Sequence, residues 1–202
     1  MNFGFNVSPV IPVKWLMNKD IIETNDSATY SLSQKTSYLL GMQVRYDYMK
    51  HYSFETGINF IRRNYDATLL TESLDTTSRL KFIGYEVPVM GYLFVRLTKH
   101  IYMDNAYGFC FNVNPSDIAI KHYYVQRWWW FHVSFVTNVG WEIRTSRAGY
   151  YYIGLLYQYH IKDMLKVGYY EGSSIGQPDI RLDVSGNYLA VNIKYYFPQN
   201  KK

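Results

Sequence analysis

A single cysteine, Cys110, stands among 202 residues. It excludes an intrachain disulfide and a cysteine-based zinc site, and it leaves both a cytosolic and an outer-membrane setting open. Apolar runs are short, and none approaches the ~20 residues of a transmembrane helix. The first residues show no basic stretch followed by an apolar core, so no signal peptide is expected among them. Charge is scarce too: Asp, Glu, Lys and Arg make up 18%, against about 25% in an ordinary soluble domain. The net charge of +5 comes from Lys and Arg dispersed along the chain, which argues against a nucleic-acid partner. There is no Gly-x-Ser-x-Gly, phosphate loop or His/Asp metal spacing. No cofactor or metal is therefore expected, and the chain is not read as an enzyme.

What the chain has in excess is aromatic residues, 19% of the total, including 22 Tyr. Their placement follows period two. Near the end, Leu189, Val191, Ile193, Tyr195 and Phe197 fall on one face of an extended strand, and Tyr188, Ala190, Asn192, Lys194 and Tyr196 on the other. A terminal strand of this kind, ending in Phe, resembles the closing strand of a bacterial outer-membrane barrel, where the pattern serves as an assembly signal. The same alternation marks seven earlier stretches, at residues 3–13, 38–49, 52–61, 80–96, 103–113, 131–144 and 151–161. Between them, long polar connections (17–35, 64–78, around 114–117, 163–186) alternate with short turns (49–51, 97–100, 145–149). Short turns on one side and long loops on the other are what an outer-membrane barrel requires.

The expected fold is therefore all-β: an eight-stranded antiparallel up-and-down transmembrane β-barrel with short periplasmic turns and long extracellular loops. One barrel domain spans residues 1–197, followed by a short tail, 198–202. The polar face carries Gly41, Gly57, Gly108, Gly140 and Gly154 with Ser, Asn and Gln, which suits the narrow interior of an eight-stranded barrel better than a solvated surface. Pro9, Pro12 and Pro88 lie in strand patterns and are expected to interrupt pairing.

Several inward positions are charged. Arg45 falls opposite Glu55 if the first short turn has three residues. Glu86, Arg96, Asp104, Glu142, Arg144 and Lys194 share the inward face, so a network of both signs is expected to fill the lumen and the barrel is not expected to be a general pore. His132, Ser134 and Glu142 also point inward, which invites a hydrolase reading. Residues aimed into a filled interior do not reach lipid, and that reading is set aside. At the outer end of the sixth strand pattern, Trp128, Trp129 and Trp130 follow Tyr123, Tyr124 and Arg127. They read as an interface anchor or as a recognition surface for a protein or glycan.

The stretch Gly84-Tyr85-Glu86-Val87-Pro88-Val89 resembles a fourth-strand motif, roughly Tyr-Leu-Glu-Ile-Pro-Leu, of small outer-membrane barrels of Bacteroidota, the PorT-like β-barrel family. Tyr157-Gln158-Tyr159 and the closing Tyr195-Tyr196-Phe197 are similar to that family's usage. The resemblance implies an eight-stranded barrel without a common enzymatic activity, in a family whose namesake is associated with type IX secretion. The expected function is an integral outer-membrane protein of a Gram-negative bacterium, crossing the membrane many times. It would be in contact with outer-membrane lipid and serve as a structural or interaction subunit, with protein partners in a secretion or uptake complex. The alternatives are a lipid-modifying enzyme of the same membrane and a soluble lipocalin-like barrel for a small hydrophobic ligand.

Overall fold

The computed structural model describes residues 1–13, 21–25, 28–71, 75–114, 118–120, 123–127, 129–145, 148–169 and 180–198. Among the described residues there are thirteen strands and no helix. In chain order they are β1 (Asn2–Ile11), β2 (Ile21–Asn25), β3 (Ala28–Met49), β4 (Tyr52–Thr71), β5 (Asp75–Arg96), β6 (Ile101–Val113), β7 (Ile118–Ile120), β8 (Tyr123–Arg127), β9 (Phe131–Thr145), β10 (Gly149–His160), β11 (Leu165–Tyr169), β12 (Ile180–Val184) and β13 (Tyr188–Tyr196). The expected count of eight is corrected. Segments expected to be long loops carry β2, β7, β8, β11, β12 and the outer halves of β3, β4 and β5, so the stretch 64–78 is mostly strand and not loop.

Neighbouring strands run antiparallel in the order β1-β13-β10-β9-β6-β5-β4-β3, and β1 pairs with β3 as well as with β13. The pairing order thus returns to its first strand, and the sheet curls into a barrel. Alternation follows the sequence: along β10 the outward Tyr151, Ile153, Leu155 and Tyr159 are exposed while Tyr152, Gly154, Leu156 and Gln158 are buried. Ladder pairs are missing beside two prolines. Between β4 and β5, Thr56↔Val89 is followed by Asn59↔Glu86, skipping Pro88; between β1 and β13, Val7↔Ile193 is followed by Val10↔Ala190, skipping Pro9. Neither proline has an N–H to give. Pro12 lies past the end of β1.

Small residues make room inside. Gly140 and Gly154 are direct partners, and a Cβ at Gly140 would stand 2.5 Å from the Tyr152 hydroxyl and 2.6 Å from Gly154 Cα. Tyr152 lies across the hollow that the two glycines leave.

A one-residue bulge in β3 then divides the molecule. Tyr38 pairs with Arg62, but Lys35 pairs with Asn64, so β3 has one extra residue between them. Ser37 Oγ donates to Lys35 O at 2.9 Å, Asn64 N donates to Ser37 Oγ at 2.9 Å and Asn64 Nδ2 to Thr36 O at 2.8 Å. Because faces alternate with period two, one extra residue exchanges them. Beyond the bulge Tyr30 and Leu32 point inward, although inward positions below it, such as Leu39, are odd-numbered. They join Tyr65, Leu69, Leu80 and Phe82 in an apolar core shared with a second sheet, ordered β12-β11-β8-β7. Across that sheet Val125, Val167 and Leu182 stand in register. The barrel interior has its own core, including Val10, Leu39, Ile61, Met90, Val136 and Leu156.

Leu80 is fully buried in the outer core. Leu80→Ala is expected to destabilise that layer by about 2–5 kcal/mol. Limited proteolysis should then cut first in β11 and β12 while a protected barrel fragment persists; simultaneous loss of both would show one cooperative unit instead of two cores.

Candidate functional site

The barrel interior holds the densest polar chemistry among the described residues. Register places Arg45 of β3 directly opposite Glu55 of β4. The turn between them is the two residues Lys50-His51, and a second irregularity between Asp47 and Met49 keeps the opposition that a three-residue turn would give. Arg45 is fully buried. Its Nε donates to Glu55 Oε2 at 3.1 Å, Nη2 to the Tyr196 hydroxyl at 2.7 Å, and Nη1 to Glu142. The guanidinium also lies 4.0 Å from the Tyr196 ring centre and 4.9 Å from that of Tyr92, so cation–π attraction adds to the ion pairs.

Glu55 is equally well held. Lys194 Nζ donates to its Oε1 at 2.5 Å, the Tyr92 hydroxyl donates to the same oxygen at 3.0 Å, and the Tyr196 hydroxyl donates to Oε2. Glu142 receives Arg144 Nε at 2.6 Å as well as Arg45. Tyr152 donates to Asn138 Oδ1 at 2.8 Å, and Asn138 Nδ2 reaches the Tyr92 hydroxyl at 3.4 Å. Taken out of water, such charges are tolerated only when their partners are this complete.

Glu86 belongs to a separate cluster nearer the outer end. Arg63 Nη2 donates to Glu86 Oε1 at 2.9 Å, and the Tyr188 hydroxyl lies 2.8 Å from Glu86 Oε2 and 2.9 Å from Gln158 Oε1. Gln158 Nε2 donates to Asn112 Oδ1 and Asn112 Nδ2 to Ser134 Oγ, both at 2.8 Å. Arg63 was missed in the sequence because it sits one position before the stretch taken as loop. Carrying the inward parity of Ile61 two residues further would have found it.

Two expected members of the network stand elsewhere. Arg96 is a correction: it is exposed, and its Nε donates to Thr98 O at 3.0 Å, because β5 ends there and its last residue emerges at the rim. Asp104 is buried and inward, yet its carboxylate makes no hydrogen bond among the described residues. Among the described residues, the side chains of His132, Ser134 and Glu142 make no hydrogen bond to one another. Ser134 is engaged by Asn112 and by Cys110 O, Glu142 by two arginines, and the His132 ring packs at a tilt of 43° against His160 with ring centres 5.0 Å apart.

Of the aromatic group at the outer end, Trp128 lies outside the described residues. Trp129 and Trp130 are exposed, and Lys162 Nζ stands 5.4 Å from the Trp129 ring centre. Tyr123 is not a surface residue: it is buried in the outer core, while Tyr124 is exposed and Arg127 Nη1 donates to Asn114 O at 3.2 Å. The closing-strand residues Leu189, Val191, Ile193 and Tyr195 face outward along β13. Phe197 follows it, stacked on Phe3 at 6.0 Å.

Removing one member of a buried ion pair strands the other. Arg45→Met and Glu55→Gln are each expected to lower stability by ~3–5 kcal/mol, and the double variant by clearly less than their sum. Urea unfolding of the detergent-solubilised protein measures this, and additive losses would show that the pair is not coupled.

No family model and no curated protein sequence matches the chain. Among solved structures, it is similar to the outer membrane protein OprG from Pseudomonas aeruginosa. The TM-score is 0.61 at 11% identity, over 98% of this chain and 96% of that one. At that identity the likeness is one of fold, and the fold is that of an outer-membrane-type β-barrel.

Proposed function

We propose that the chain is an integral outer-membrane barrel serving as a structural or interaction subunit, not as a pore or an enzyme. In this reading β1, β3, β4, β5, β6, β9, β10 and β13 form the closed transmembrane barrel expected from the sequence. The short turns lie on the periplasmic side, and the outer sheet stands outside the cell. One observation carries the proposal: the barrel is apolar outward and ionic inward. Phe5, Val7, Met42, Ile58, Val89, Phe135, Leu155 and Ile193 are all roughly half exposed, and together they encircle the sheet. Soluble proteins rarely leave contiguous apolar surface of more than a few hundred Å2 uncovered, whereas lipid covers such a belt.

The ends of the belt support the same reading. Tyr46, Tyr48, Tyr52, Phe54 and Tyr151 are exposed by the short turns, and Tyr195 packs on Tyr151 at 5.1 Å, as in an interfacial aromatic girdle. Two buried ionic clusters, Arg45 and Lys194 with their carboxylates and Arg63 with Glu86, argue against the apolar cavity of a lipocalin-like carrier. With the lumen filled, the outer layer is the working surface. The resemblance to PorT-like barrels supports a place in a larger outer-membrane assembly.

Leu155→Arg, on the outward face, is expected to cost ~2–4 kcal/mol when the protein folds into lipid vesicles, and the wild type is expected to carry no large steady current in planar bilayers. Efficient folding into vesicles of the Arg variant, with wild-type stability, would sink the membrane reading. Large currents would sink the filled lumen.

A further inference from the structure

We propose that the outward face of β3, β4 and β5, just beyond the aromatic contact of Tyr38, Phe60 and Tyr85, binds the phosphorylated headgroup of an outer-leaflet lipid. This rests on the transmembrane reading above and adds a site to it. A cleft of about 520 Å3 opens there, lined by Lys35, Arg62, Arg79 and Lys81 with Asp66 as its carboxylate. Four cations thus meet one anion. Lys35 Nζ and Arg79 Nε both lean on Asp66, at 3.3 and 3.4 Å, with half or more of each cationic side chain in solvent. Exposed pairs of this kind hold little of each charge. Among the described residues neither Arg62 nor Lys81 has an ion-pair partner.

The cluster is assembled by the fold and is not a run in the sequence. Register puts Arg62 beside Tyr38 and Ile83, Asn64 beside Lys35 and Lys81, and Asp66 beside Arg79. The β3 bulge is essential to it: without the extra residue, Lys35 would fall on the inward face. Ser37 and Asn64 hold that bulge by three hydrogen bonds. The Asn64 side chain is therefore committed to the backbone and does not dilute the charge.

Phosphate is the chemistry that matches. Arg62 and Arg79 offer planar forks for bidentate contact, and the two lysines add point charges. Position selects a lipid over a free anion. The cleft opens outward, and Tyr38, Leu40, Ile83 and Tyr85, all exposed, continue from it into the apolar belt. A headgroup seated on the cations leaves its acyl chains lying along that belt. Basic clusters at the membrane boundary attract anionic headgroups in this way.

The test uses the full chain in detergent micelles, followed by its melting temperature. The probes are lipid A carrying two phosphates, the same lipid with its phosphates removed, and inorganic phosphate. Diphosphorylated lipid A should raise the melting temperature of the wild type, and Arg62→Gln with Lys81→Gln should weaken the apparent affinity at least tenfold. The two-site variant should melt like the wild type without lipid. Lys50→Gln with Lys99→Gln, at the opposite rim, should leave the response intact. An equal response to the dephosphorylated lipid, or an unchanged response in the Arg62/Lys81 variant, overturns the site. An equal response to inorganic phosphate overturns the choice of lipid. If the chain proves soluble and folded without detergent, the membrane reading falls; if it needs detergent and ignores phosphorylation, only the site falls.

Discussion

Everything inside the barrel depends on how the Arg45 guanidinium is satisfied. Two unit charges about 4 Å apart attract by roughly 4 kcal/mol at an effective dielectric near 20, and the cost of removing them from water is of similar size or larger. One ion pair alone would not justify a fully buried arginine. Arg45 has two carboxylates, a hydroxyl and stacked aromatic rings around it. Those groups come from different strands: Glu55 from β4, Tyr92 from β5, Glu142 from β9, Lys194 and Tyr196 from β13. A slip of one residue in any of these ladders would turn its contributor to the outward, apolar face. The network therefore adds little net energy, but it penalises wrong registers heavily.

That constraint explains why the inward face is not uniformly polar. Val10, Leu39, Ile61, Leu156 and Ala190 form an apolar zone flanked by the Arg45 cluster on one side and the Arg63–Glu86 cluster on the other. Separating the clusters lets each be complete in itself: Glu86 is answered by Arg63, Tyr188 and Gln158, without reaching Glu55. Tyrosine suits this interior because its ring fills volume while its hydroxyl bonds a charge. Tyr92, Tyr188 and Tyr196 do so, while Tyr152 donates to the Asn138 amide oxygen.

The faces of the barrel strands were legible in the sequence, since an apolar outside and a filled, polar lumen give period two with opposite chemistry. Arg45 opposite Glu55 was legible for the same reason. The outer layer was not. Beyond the apolar belt the outward face is free to be polar, so Thr68, Thr77 and Asp75 looked like loop residues although Tyr65, Ala67 and Leu69 keep their alternation. In β3 the bulge exchanges the faces between Lys35 and Tyr38, and any count carried through it fails. β11 and β12 are five residues each, and β11 finds one of its partners in β8, a pairing that no local pattern announces. Arg96 shows the opposite error: parity was extended past the last residue of a strand, where inward no longer means buried.

The bulge also decides where the molecule can meet anything else. Below it, β3, β4 and β5 present an apolar face outward and a filled lumen inward. Above it the same three strands turn Tyr30, Leu32, Tyr65 and Leu80 into a core shared with the four-stranded sheet. The opposite face presents Lys35, Arg62, Arg79 and Lys81. In β4 and β5 the buried parity runs unbroken through this level, from Glu55 to Leu69 and from Leu80 to Phe94, so the inserted residue shifts the parity of β3 alone. It sits where the aromatic contact of Tyr38, Phe60 and Tyr85 gives way to the cationic cleft, and it keeps Lys35 on the outward face with Arg62, Arg79 and Lys81. The hydrogen bonds of Ser37 and Asn64 hold it there.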